Sequence, residues 1–72
     1  MPLVTVEMMP GRTREQKDAF AKRVVVAMDE ELGAPASSVW LVFKEVDPAD
    51  WYMGEKSTAQ VRREREAAAT VD

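Results

Sequence analysis

Neither cysteine nor histidine occurs anywhere in the 72 residues. Without cysteine there is no disulfide framework, and without either residue the usual zinc staples are missing as well. His-assisted triads, thiol nucleophiles and the side chain that titrates nearest neutrality go with them. Of the groups that remain, only the α-amino group, at about 7.7 to 8.0 in model peptides, changes charge close to neutral pH without a large environmental shift. A general base in this chain therefore belongs at its N-terminus. No apolar run approaches the roughly 18 to 20 residues that a membrane-spanning helix needs, and no basic flank precedes an apolar core at the start of the chain. The expectation is a soluble cytoplasmic protein without a membrane partner. Positive charge is also scarce, with 10 Lys and Arg against 13 Asp and Glu and a formal net charge of -3. That balance gives phosphate backbones no long-range attraction and argues against nucleic acid.

What is present is short. The chain reads as a single domain over residues 1–72, too small to bury a self-sufficient core. With disulfides and zinc excluded, oligomerisation is the remaining common device.

Residues Leu3 to Met9 alternate, Val4, Val6 and Met8 on one face and Leu3, Thr5, Glu7 and Met9 on the other, which is the period of a strand that begins directly at Pro2. Pro10-Gly11 is turn punctuation. Thr13 followed by Gln16 fits a capping box, and a helix is predicted from Arg14 to Leu32. Phe20, Val24, Ala27, Met28 and Leu32 form its apolar stripe, with Lys17, Asp18, Lys22, Asp29 and Glu30 on the other side. Gly33 is placed to end it and Pro35 prevents continuation. Val39 to Val46 is a second strand, so the unit is β-α-β with parallel strands and a right-handed crossover. Asp47 to Asp50 reads as a turn or short helical loop, and Trp51-Tyr52-Met53-Gly54 as an aromatic loop and candidate pocket wall. From Glu55 the sequence turns polar, and residues 64–72 read as a solvated helical extension or tail.

Taken together, certain residues suggest chemistry. Met1-Pro2 opens the first strand, Gly11-Arg12 stands before a helix beginning Glu15-Gln16-Lys17, and Ala34-Pro35 and Ser38-Val39 precede the second strand. Gly54 and Val61-Arg62-Arg63 follow. In that order these residues resemble the 4-oxalocrotonate tautomerase family, over roughly Pro2 to Arg63. The resemblance implies an α/β fold, a β-α-β subunit with two parallel strands and a short C-terminal hairpin or tail, assembled as a homohexamer, commonly a trimer of dimers. It also implies cofactor-independent, metal-free chemistry on a small carboxylic acid. Removal of Met1 leaves Pro2 as a free secondary amine, the general base that moves a proton between carbons of an enol acid. Arg12 matches the family arginine that binds a substrate carboxylate or carbonyl, and Trp51 falls where the best-known members carry a phenylalanine that keeps the proline pocket apolar.

Trp40 departs from the family pattern. The matching position in the founding members is an arginine, supplied by a neighbouring subunit, and an indole replaces neither its charge nor its paired donors. The change disfavours a muconate-type diacid and favours a monoacid or aromatic enol. Arg14 is the candidate second cation. An apolar wall and an Arg12 close to Pro2 are expected to disfavour the ammonium form of the amine. The predicted function is keto-enol tautomerisation of a 2-hydroxyacrylate-type acid. Two alternatives stand beside it: hydration or hydrolytic dehalogenation of an unsaturated acid, which needs a water-activating carboxylate such as Glu7 or Glu45, and a non-catalytic subunit of a hetero-oligomer.

Overall fold

The computed structural model describes residues 1–69. Strand β1 (Leu3–Met8) leads into helix α1 (Arg14–Leu32), a single 3-10 turn at Ala36–Ser38, and strand β2 (Trp40–Glu45). A second 3-10 turn at Pro48–Asp50 precedes the short strands β3 (Tyr52–Met53) and β4 (Lys56–Ser57), and helix α2 (Thr58–Ala69) follows. The aromatic loop of the sequence reading is thus the first arm of a hairpin, turned at Gly54, whose φ of 76° places it in the left-handed region. Residues 64–69 of the expected polar segment continue α2, and the rest of that segment lies outside the described residues.

Local chemistry sets the helix ends. Thr13 Oγ1 accepts from the backbone of Gln16 at 3.1 Å while Gln16 Oε1 accepts from the Thr13 amide at 2.9 Å, so the capping box is complete. Gly33, at φ 69°, donates to the Asp29 carbonyl and Ala34 to that of Met28, closing the last turn.

β1 and β2 pair in parallel, Leu3 opposite Trp40 through Met8 opposite Glu45. Val4, Val6, Met8, Leu41 and Phe43 are half-buried beneath α1, whereas Leu3, Thr5, Glu7, Trp40, Val42 and Lys44 stand exposed on the other face. The covering stripe of α1 is rotated from the predicted one. Lys17, Ala21, Val24, Val25 and Met28 turn inward, while Ala27 is exposed and Leu32 is 71% exposed. The most buried residue of the helix is Lys17, at 8% exposure, although its charge suggested the solvent side. Glu45, at the end of β2, explains the difference: its carboxylate meets the Lys17 ammonium at 3.0 Å, and the lysine stem covers apolar surface on the way.

No apolar side chain among the described residues is fully buried. The radius of gyration is 17.2 Å, against about 11 Å for a compact domain of this length. Leu3 and Trp40 remain 59% and 57% exposed side by side on the open sheet face. A sheet of two strands with one bare apolar face does not persist alone. Because folding and association are coupled in such a chain, the thermal midpoint is expected to rise with protein concentration; a midpoint independent of concentration over a hundredfold range would show a self-sufficient monomer.

Across the hairpin, Lys56 Nζ donates to both carboxylate oxygens of Glu64 at 2.9 Å and so ties β4 to α2. This hydrogen bond, reinforced by the lysine charge, holds the Glu64 carboxyl below the ordinary carboxylate range. A depressed folded-state pKa contributes stability above the unfolded pKa and loses it as the pH falls through the folded one. Amide-exchange protection in the first turns of α2 should therefore drop on acidification below the ordinary carboxylate range. Glu64→Gln should remove that pH dependence; an identical acid profile in the variant would sever the link.

Candidate functional site

Strand polarity sorts the candidate residues into two groups. Pro2 stands immediately before β1, half-buried, and its carbonyl accepts the Trp40 amide at 2.9 Å, so Trp40 opens β2 beside it. Arg12, Arg14 and Trp51 belong to the other end of the sheet. Val46 donates to the Met8 carbonyl at 2.8 Å, which sets the close of β2 beside the close of β1, and Trp51 follows five residues later. Arg62 of α2 reaches the Met9 sulfur at 3.0 Å, holding the C-terminal helix against this same end. Six strand residues lie between Pro2 and the turn that carries Arg12, a separation of about 20 Å in extended chain. Within one chain Pro2 and Arg12 are apart, because an extended strand cannot fold its two ends together.

Arg12 lines a cavity of about 320 Å³ between the start of α1 and the sheet. Val6, Met8, Phe20 and Phe43 give it an apolar wall, and Arg12, Gln16 and Lys17 supply its polar groups. The rings of Phe20 and Phe43 are 6.1 Å apart and tilted at 54°, within the range of favourable aromatic pairs. Arg12 forms no ion pair among the described residues, so its donors are available to an anion.

Arg14 does not share this cavity. Its side chain is 72% exposed and lies 4.0 Å from Asp18 one turn along α1, the geometry of a weak surface pair. Lys17 is the second cation that lines the cavity beside Arg12, and spacing explains it. Positions 17, 21, 24 and 28 fall on one helical face, so the amine rides on the apolar stripe. Trp51 is half-buried, with its carbonyl accepting both the amide of Thr58 at 2.7 Å and its hydroxyl at 2.9 Å, which fixes the loop at the start of α2. Trp40 stands on the open sheet face next to Leu3, where any second subunit that covers this face would meet it.

Among the described residues no cluster of acidic side chains could hold a metal ion, and no helix is long and apolar enough to cross a membrane.

Comparison with known proteins agrees with this architecture. The Tautomerase enzyme family matches residues 2–60. A probable tautomerase of Bacillus cereus is 41% identical over 56 residues, covering 78% of this chain and 92% of the relative. The 2-hydroxymuconate tautomerase of Comamonas testosteroni is 32% identical over 63 residues, 88% of this chain and all of that one. Among solved structures, TomN, a 4-oxalocrotonate tautomerase homologue of the tomaymycin biosynthetic pathway, superimposes with a TM-score of 0.81 at 31% identity, over 86% of this chain and 95% of its own. A heterohexameric 4-oxalocrotonate tautomerase from Chloroflexus aurantiacus gives a TM-score of 0.77 at 34% identity, over 86% of this chain and all of that chain. The fold is that of a tautomerase-type β-α-β subunit. The chain belongs to the 4-oxalocrotonate tautomerase family.

Proposed function

We propose that this chain assembles into a proline-based tautomerase acting on a small 2-hydroxyacrylate-type acid, each site being built from two chains. One chain brings Pro2, freed by removal of Met1. The other brings Arg12, its apolar cavity and Trp51. The observation that carries this reading is the separation of Pro2 and Arg12 at opposite ends of one strand, in a chain whose exposed sheet face already demands a partner. Placing the strand start of one subunit against the strand end of another satisfies both requirements at once.

In such a site the prolyl nitrogen takes the 2-hydroxyl proton of the enol and returns a proton to carbon 3, or removes it from carbon 3 in the reverse direction, while Arg12 holds the carboxylate and the aromatic walls exclude water. A guanidinium close to the amine disfavours the ammonium form, so the same arginine that binds substrate keeps the base neutral. Trp40 brings no charge to the site. It offers a flat apolar surface instead, which suits a monoacid bearing an aromatic or unsaturated substituent. The water-activating alternative is poorly served, because Glu45 is engaged by Lys17 and Glu7 stands on the opposite sheet face across from Lys44.

A second reading has one observation in its favour. With Trp40 where family members carry arginine, and a heterohexamer among the similar structures, this chain could serve as one of two unlike subunits, the other completing the site. Native mass and turnover of the purified homo-oligomer separate the two, since full activity of the single chain leaves no role for a second.

An added residue before Pro2 converts its amine to an amide and is expected to lower kcat about a hundred- to ten-thousand-fold with native mass unchanged. Arg12→Ala should move the acid limb of the kcat/KM profile to higher pH, because removing the cation raises the pKa of the amine. Unaltered turnover in the extended protein would remove Pro2 from the mechanism.

A further inference from the structure

We propose that Lys17 is a second substrate-binding group of this site, the donor that takes the 2-oxygen of the acid whose carboxylate lies on Arg12. The inference rests on the tautomerase reading but is carried by the cavity itself. Lys17 is 8% exposed and lines the same space as Arg12. Its ammonium has three N–H donors. One faces Glu45 at 3.0 Å, and the Phe43 ring, 5.8 Å away, offers only a π face. No further partner of Lys17 Nζ occurs among the described residues, so donor capacity is left over in a largely apolar space.

The neighbouring groups strengthen the case. Because Gln16 Oε1 is committed to the Thr13 amide in the capping box, the Gln16 NH₂ is the end left for the cavity, and it too has no partner among the described residues. Arg12 and Lys17 therefore present donors only, and Gln16 adds its NH₂. Two cations face one carboxylate, since Glu45 offsets Lys17 and nothing offsets Arg12. A cavity with that balance takes one carboxylate and an adjacent oxygen that gains negative charge during reaction, which is the arrangement of a 2-oxo acid passing to its enol. As a prolyl nitrogen from a second copy removes the proton from carbon 3, the C–H electron pair becomes the bond between carbons 2 and 3. The carbonyl pair moves onto the 2-oxygen, where the Lys17 N–H meets the new charge. Trp40 brings no charge to the site, and Lys17 supplies one beside Arg12.

A structural ion pair and a binding amine respond differently to loss of Glu45, and this difference is the test. The assembled protein is titrated calorimetrically with 2-hydroxy-3-phenylpropionate and with 3-phenylpropionate, unreactive acids that differ only in the 2-oxygen. The native chain should prefer the hydroxy acid, and Lys17→Met should reduce that preference by about tenfold. Lys17→Arg should keep part of it, and Glu45→Gln, which releases the ammonium, should maintain or increase it. A reduced preference in Glu45→Gln, or an unchanged one in Lys17→Met, overturns the proposal. If Lys17→Met does not assemble, Glu45→Gln and Lys17→Arg decide alone by the same criteria. A Lys17-dependent preference in a protein that turns over no enol acid would uphold this subsite and reject the tautomerase reading.

Discussion

Two parallel strands and one helix cannot enclose a core, and most of this structure follows from that constraint. α1 covers one face of the sheet and leaves Leu3, Trp40 and Val42 bare on the other. Even the covered face holds no fully buried apolar side chain among the described residues. Beneath the helix the Lys17 ammonium pairs with Glu45 at 3.0 Å and lies 5.8 Å from the Phe43 ring. Such a pair is weak evidence of net stability, because desolvating the charges offsets much of their attraction. An assembly that buried the bare face would supply the free energy that a single copy lacks.

Association and catalysis then share one cause. Parallel strands give the sheet two unlike ends, with Pro2 and Trp40 at the beginning and Arg12 and Trp51 at the close. A single copy carries these candidate residues at opposite ends of its sheet and cannot bring them together. In the proposed closed assembly every copy gives one half to one neighbour and receives the complementary half. The short hairpin and α2, tied down by the Thr58 contacts to Trp51 and by the Lys56 to Glu64 bridge, hold the Trp51 half in place.

Much of the fold was legible because the signals were local. The alternation of Leu3 to Met9, the Thr13 and Gln16 capping box and Gly33 at the helix end each act within a few residues; the cap and the helix end are realised where they were expected, and the strand ends one residue earlier, at Met8. The paired arms of β3 and β4 were less visible, since two-residue strands carry almost no periodicity. The burial of Lys17 was missed for a different reason. Charge argued for solvent, and only the partner at Glu45, 28 positions away, makes the inward position tolerable. The nearness of Arg12 to Pro2 was likewise read from family resemblance, whereas the length of β1 keeps them apart in one chain. Tertiary distance, unlike a cap or a turn, is not written in neighbouring residues.

Subunit mixing tests the proposed two-chain origin of the site. Chains carrying an extra residue before Pro2 are dissociated and reassembled in equal amounts with Arg12→Ala chains, exchange being verified by native mass. If one chain supplies the amine and another the guanidinium, about a quarter of the sites in the mixed particles unite both intact groups, and activity should rise well above that of either parent. Fully exchanged particles no more active than their parents would contradict the account.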